Sequence, residues 1–199
     1  MNHAVGIAVA LAIASCGGSP ASPDAGAPGP CWPDSLGARR GSAILGTGRA
    51  SFMPMPATLP LEYGAQAGFD LVANVRMSGF DPGSPTDLLD PHNPRTRIRA
   101  FFADTNVPLN YNAKCPFRVG YVPSGANDFD YQMSSGQPII FETCWRSDRL
   151  IGARIRIELE LIDNDGNYVT DQQTVTATAP STDYPVEMNT PGCQHLADQ

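Results

Sequence analysis

The sequence predicts an all-β fold, an antiparallel immunoglobulin-like β-sandwich of about seven to nine strands, and three observations carry that expectation. Apolar residues alternate with polar ones in several runs. Nineteen Gly and nineteen Pro interrupt the chain at short intervals, and no segment holds a helical period for three turns. Only 17% of the residues are charged and 42% are hydrophobic. With 199 residues that is enough for one ordinary core plus appendages.

The strands follow in chain order. Ser42–Phe52 and Leu59–Tyr63 are short apolar-rich runs bounded by Gly and Pro. In the next, Phe69, Leu71, Ala73, Val75 and Met77 fall on one face, with Asp70, Asn74 and Arg76 on the other. Arg97–Ala103, Phe117–Val122, Phe129–Met133 and Pro138–Glu142 are further candidates. Arg154 to Leu161 is the cleanest, because its four apolar and four charged residues alternate strictly, a pattern that a helix would scatter around its circumference. Tyr168–Thr178 closes the series.

The register of the last hairpin follows from its core face. A two-residue Asp165-Gly166 turn would set Leu161, Leu159 and Ile157 against Thr170, Gln172 and Thr174. A three-residue loop, Asn164-Asp165-Gly166 with Gly166 left-handed, sets Leu161 opposite Val169 and Ile155 opposite Val175. The second register is preferred. Asp171 and Gln173 then point inward, which predicts an edge strand or a bulge.

Ahead of the sandwich stand two segments of different character. Ala4 to Ala14 is apolar but about half as long as a membrane-spanning helix, and it reads as the core of an export signal. Gly17 to Pro30 holds no large apolar residue and cannot repay the entropy of ordering, so it reads as a tether reaching about 3 Å per residue at most. The expected organisation is a signal over residues 1–15, a modified cysteine and tether over 16–30, and a single domain over 31–199.

Between signal and tether lies Ile13-Ala14-Ser15-Cys16, which resembles the lipobox of bacterial lipoproteins. The resemblance implies cleavage before Cys16, a diacylglyceryl thioether and an acylated amine on that residue, and stable membrane anchoring through several fatty chains such as palmitate. Gly17, rather than an acidic residue, follows the cysteine, which in that family suits sorting to an outer membrane. Met1-Asn2-His3 departs from the family in lacking a basic residue. The body looks like the single-domain β-sandwich lipoproteins of GC-rich Gram-negative bacteria, and the twelve Arg against a lone Lys114 fit such a genome.

The remaining cysteines, Cys31, Cys115, Cys144 and Cys193, are even in number in a chain directed to an oxidising compartment. Three pairings are open. Cys31–Cys193 with Cys115–Cys144 would staple both ends and one internal excursion, each contributing about 3–5 kcal/mol in the chain-entropy account. Metal ligation wants closely spaced cysteine pairs, and none occurs.

Chemistry-bearing motifs are sparse. Beyond the signal there are two histidines, His92 and His195, neither in a catalytic motif, and no Gly-x-Ser-x-Gly or His-Glu-x-x-His pattern. Asp163, Asp165 and Asn167 are the nearest approach to a metal site, with Ca2+ as the cation they would suit. The spacing does not fit an EF-hand, and turn chemistry explains these residues better. Asp81 to Pro94, with Asp81, Asp87, Asp90, His92 and four prolines, reads as a long surface or disordered excursion. Aromatic residues between Tyr111 and Gly136 are of a kind that binds sugar or peptide, although Phe117, Phe129 and Trp145 suit a core. A net charge of −7 and a pI near 4.8 exclude a nucleic-acid partner on electrostatic grounds.

The reading is therefore a non-catalytic binding or interaction module held on a membrane, with a polysaccharide or another envelope protein as partner. The competing readings are a secreted hydrolase and a calcium-assisted carbohydrate-binding domain. A glycosidase needs two carboxyl groups about 5–10 Å apart in a concave site. A calcium module needs Asp163, Asp165 and Asn167 to converge on one point. An interaction module needs an exposed apolar or aromatic patch.

Overall fold

The computed structural model describes residues 36–64, 68–110, 116–125, 127–142 and 145–181. Cys16, Cys31, Cys115, Cys144, Cys193, His195, Tyr111, the signal and the tether lie outside the described residues, as does the disulfide pairing. Among the described residues no helix is long and apolar enough to cross a membrane.

Over the described residues the chain is an all-β sandwich of two sheets with one short helix, α1 (Ser147–Leu150). Its strands are β1 (Ser42–Thr47), β2 (Met53–Pro54), β3 (Thr58–Pro60), β4 (Glu62–Tyr63), β5 (Phe69–Ser78) and β6 (Arg95–Phe102). They continue as β7 (Phe117–Arg118), β8 (Tyr121–Pro123), β9 (Tyr131–Met133), β10 (Gln137–Ile140), β11 (Arg154–Ile162) and β12 (Tyr168–Thr178). One sheet runs β3-β12-β11-β6-β7. The other runs β2-β1-β5-β9-β8, with β4 and β10 also on β5. All strand pairs are antiparallel except β3 with β12, where the chain returns from β2 and lies parallel to the final strand.

Each of the nine expected runs has a strand, two of them are divided and β2 is additional, which gives twelve among the described residues. The Ser42–Phe52 run ends as a strand at Thr47, and the chain then reverses so that Met53 of β2 pairs with Thr47. Leu59–Tyr63 and Phe117–Val122 divide because their first halves pair in the five-stranded sheet and their second halves in the seven-stranded one. Strands that switch sheets form the corners of a sandwich, and alternation alone does not reveal the switch. Leu61 and Val119, at the two corners, are buried.

The last hairpin has the expected register, Leu161 opposite Val169 and Ile155 opposite Val175. Its loop holds Gly166 at φ +81°, a backbone region that side chains with a Cβ rarely enter. Ile155, Ile157, Leu159 and Leu161 are buried against Leu71, Ala73, Val75 and Met77 of the facing sheet. Each such side chain contributes about 1.5–3 kcal/mol by leaving water. Asp171 points inward as expected, and its carboxylate accepts a hydrogen bond from the Leu45 backbone N–H at 2.7 Å. An edge acid of one sheet thereby satisfies an edge donor of the other.

The outer face of β5 departs from expectation. Alternation puts Asp70 and Asn74 on the polar face of a half-buried strand, yet they are 6% and 0% exposed. The reversal at residues 48–52 and the turn before β10 fold over them. Gly136 N–H donates to the Arg49 carbonyl at 2.8 Å, Asn74 Nδ2 donates to the Gly48 carbonyl at 2.9 Å, and Arg76 lies over the Phe52 ring at 4.5 Å.

Candidate interaction end

Three places gather polar or exposed side chains of interest. The first is the end of the sandwich built from residues 79–94, Arg118 and the 163–167 loop. Here Asp81 to Pro94 is an assembled loop rather than a plain excursion. Asp81 Oδ1 accepts from Gly83 N–H (2.9 Å), Asp87 Oδ1 from Leu89 N–H (2.9 Å) and Asp90 Oδ1 from His92 N–H (2.8 Å). Each aspartate closes the backbone two residues on, which is why this composition makes turns. Asn93 is fully buried and ties the loop together. Its Oδ1 accepts from Ser84 N–H at 2.7 Å and its Nδ2 donates to the Asp87 carbonyl at 2.7 Å. Gly83, at φ +65°, is required beside it, since a Cβ there would meet Asn93 Oδ1 at 2.3 Å.

Arg118 of β7 locks this loop to the final hairpin. Its Nη1 donates to the carbonyls of Pro91 (2.7 Å) and Asn93 (3.0 Å) and to Asn164 Oδ1 (3.4 Å), while Asn164 Nδ2 donates to the Pro91 carbonyl at 2.6 Å. On this braced frame Leu88 and Leu89 occupy the two central positions of a turn whose Asp90 N–H donates to the Asp87 carbonyl at 3.2 Å. They are 65% and 88% exposed. Ordinary loops place polar residues at such corners, because water solvates them at no cost. Sequence reasoning passed over these two residues. The signal available was an adjacent leucine pair, out of step with any alternation, inside an acidic, proline-rich run.

At the same end the weak metal candidates resolve into turn chemistry. Asp163 accepts from Asn167 N–H at 2.8 Å and from Asn167 Nδ2 at 2.9 Å. The pair comes together as acceptor and donor, whereas Asp165 stands exposed at the loop tip. Among the described residues no group of three or more His, Cys, Asp or Glu side chains is arranged to hold a metal ion. His92 is mostly exposed, 3.7 Å from Asp90.

The second place is the outer face of the five-stranded sheet. Glu160 faces Arg97 and Glu158 faces Arg99 across β11 and β6. Arg97 pairs with Glu160. Arg99 Nη2 lies 3.0 Å from Glu158 and 3.5 Å from Glu160, and Arg156 Nε lies 2.9 Å from Glu158. The Phe101 ring sits between the guanidinium groups of Arg99 and Arg156, 5.7 and 4.8 Å from its centroid. Arg99, Glu158, Glu160, Thr170 and Gln172 line an open depression of about 390 Å³. The two glutamates share Arg99, and each carries a second guanidinium partner as well. Those guanidinium groups occupy the carboxylate oxygens that the reaction would need free for the substrate and its water.

The third place is the covered side of β5. Glu62 is the cross-strand neighbour of Asp70 and forms an ion pair with Arg49. Asp70 Oδ1 is buried with no hydrogen-bond partner. Burial pushes its pKa up to about 6, the Glu62 charge adds to the rise, and the Arg49 charge opposes it. The neighbouring carboxylate has its cation, and Asp70 is left in the weaker position.

Of the aromatics expected to serve recognition, Tyr121 is buried with its hydroxyl 3.0 Å from Thr96 Oγ1. Burial raises the pKa of that phenol well above its ordinary value. Phe117, Tyr131 and Trp145 pack against the core, Trp145 edge-on to Phe102 at 4.9 Å. Comparison with protein families, with curated proteins and with solved structures finds no match.

Proposed function

We propose that this chain is a non-catalytic interaction lipoprotein of the cell envelope, anchored to the outer membrane through fatty chains on Cys16, and that its docking surface is the end of the sandwich bearing Leu88 and Leu89. The observation that carries the reading is the braced turn. Two leucines stand 65% and 88% exposed on a loop fixed by Asn93 and Arg118, so their exposure is built in rather than a result of looseness. Rigid apolar projections dock at low entropic cost. Leucines suit an apolar surface, lipid or protein, better than a polysaccharide. The carboxylates that come closest elsewhere, Glu158 and Glu160, are engaged by arginines, which weighs against the hydrolase.

Two measurements test it. Intact mass of the protein purified from membranes, reduced and unreduced, should report a chain beginning at Cys16 with lipid attached and its remaining cysteines oxidised. A mature-length chain with Cys16→Ser should associate with isolated envelopes, and Leu88→Ser with Leu89→Ser should weaken that association while the circular dichroism stays unchanged. A lipid-free mass, or envelope association indifferent to both leucines, would overturn the proposal.

A further inference from the structure

The place where the chain enters the sandwich says what the leucines face. Leu36 is the first described residue, twenty positions after Cys16, and it is 40% exposed. The next residue, Gly37, donates its N–H to the Gly166 carbonyl at 2.8 Å. Gly166 belongs to the same three-residue loop whose Asn164 donates to the Pro91 carbonyl at 2.6 Å, and Pro91 is two residues beyond Leu89. The first described residues and the base of the leucine turn thus both hydrogen-bond to a single loop, at one end of the sandwich.

From this we infer that the leucine end rests on the bilayer that holds the anchor, with Leu88 and Leu89 in its interfacial apolar layer. The inference rests on the lipoprotein reading above and names the occupant of that docking surface as a lipid surface. An anchor twenty residues upstream delivers this end of the domain to the membrane first. Short tethers raise the local concentration of whatever lies beside their attachment point, so the anchored domain makes this contact more fully than the free domain does. The polar rim specifies the lipid. Asp81, Asp87, Asp90, Asp163 and Asp165 outnumber Arg118, Arg39 and Arg40 around this end. Anionic headgroups would be repelled at close range and zwitterionic ones would not. Docked this way, the outer face of β6, β11 and β12 stands to the side of the contact, open to the aqueous phase.

The test uses the membrane-purified, lipidated protein reconstituted into phosphatidylcholine vesicles whose acyl chains carry bromine, which quenches nearby tryptophan. Leu89→Trp adds a reporter at the turn. Met53→Trp adds one on β2, opposite Thr47 at the end of β1 away from Phe80. After subtraction of the parent's own two tryptophans, Leu89→Trp is expected to lose about half or more of its emission, because interfacial side chains sit about 5–10 Å deep. Met53→Trp is expected to lose none, and anionic lipid should reduce the quenching at position 89. Equal quenching at both positions, or none at position 89, overturns the inference. If that result is found while Leu88→Ser with Leu89→Ser still weakens association with envelopes, the turn docks in a protein pocket and the interaction reading survives. If the purified protein carries no lipid and washes off the vesicles, the lipoprotein reading has failed and the inference with it.

Discussion

Replacing Asp70 by asparagine should make the protein more stable at neutral pH and leave it unchanged in acid, the reverse of what loss of a paired carboxylate does. Asp70 is the one buried acid on β5, with Oδ1 unpartnered, Glu62 beside it, Arg49 committed to Glu62, and Asn74 further along the same face. Its pKa rises from an ordinary 3.8 to about 6 in the folded chain. A folded state that binds its proton more tightly than the unfolded state loses stability as pH rises, with the loss spread between those two values. At about 1.4 kcal/mol per unit, the ionised carboxylate costs the fold at most about 3 kcal/mol above pH 6, and nothing below pH 4. Asn cannot ionise, so the difference between Asp70→Asn and the parent isolates this group from every other acid in the chain. Urea unfolding of both proteins at half-unit steps from pH 4 to 8 reads it directly. The variant's advantage should grow from near zero at pH 4 to a plateau above pH 6.5. An advantage independent of pH, or a parent that is the more stable at pH 7, would refute the assignment of Asp70 as a strained buried acid. Glu62→Gln in the same series should reduce the advantage, since the Glu62 charge is one of its two causes.

Two further substitutions probe the frame of the leucine turn. Asn93→Ala removes a buried side chain that joins Ser84 N–H to the Asp87 carbonyl and should cost about 1–3 kcal/mol. Hydrogen exchange should speed selectively across residues 81–93, and a uniform change over the sandwich would contradict the bracing role. Gly166→Ala places a Cβ on a residue at φ +81° and should lower the midpoint of urea unfolding by an amount equivalent to about 1 kcal/mol or more, whereas Asp165→Ala at the exposed tip should change it little.

The sequence made the β11–β12 hairpin legible down to its register, because there local and global requirements coincide. Turn chemistry at Asp163 to Asn167 and the apolar face of Ile155 to Leu161 ask for the same loop length. The outer face of β5 was not legible. Asp70 and Asn74 alternate as solvent-facing residues should, and the segments that bury them, residues 48–52 and Gly136, are distant in sequence and carry no periodic signal. The divided strands failed for a related reason: alternation reports which residues face inward, but a strand that leaves one sheet for the other keeps facing the same core. At the leucine turn, the composition of Asp81 to Pro94 announced turns and acidity correctly, yet nothing local announced Asn93 or the reach of Arg118. Whether such a loop is slack or fixed depends on those two long-range partners. Cys16 and the four remaining cysteines, which carried most of the expectation about anchoring and oxidation, lie outside the described residues.

The edge chemistry of β12 bears on how such a domain meets a neighbour without fusing its sheets. Thr176 N–H donates to the Ala57 carbonyl and the Thr178 carbonyl accepts from Leu61 N–H, while Tyr168 exchanges bonds with Ala38 and Arg40. The ladder with β11 is unbroken from Arg154 to Ile162, so the parity of those residues extends to Thr170, Gln172 and Thr174. Their backbone groups also point away from β11. Among the described residues that leaves a window of open edge between two short covering segments, residues 38–40 and 57–60. A neighbouring sheet would have to displace both segments to pair along the full strand, because adjacent strands stand only about 4.8 Å apart. The inward Asp171 carboxylate, bonded to Leu45 N–H, sits behind the same window and would lose its partner if β1 were drawn aside to make room. A covered, interrupted edge with an acid facing in is protection against strand addition. It leaves the apolar leucine turn as a separate place at which the domain can make contact without opening its sheets.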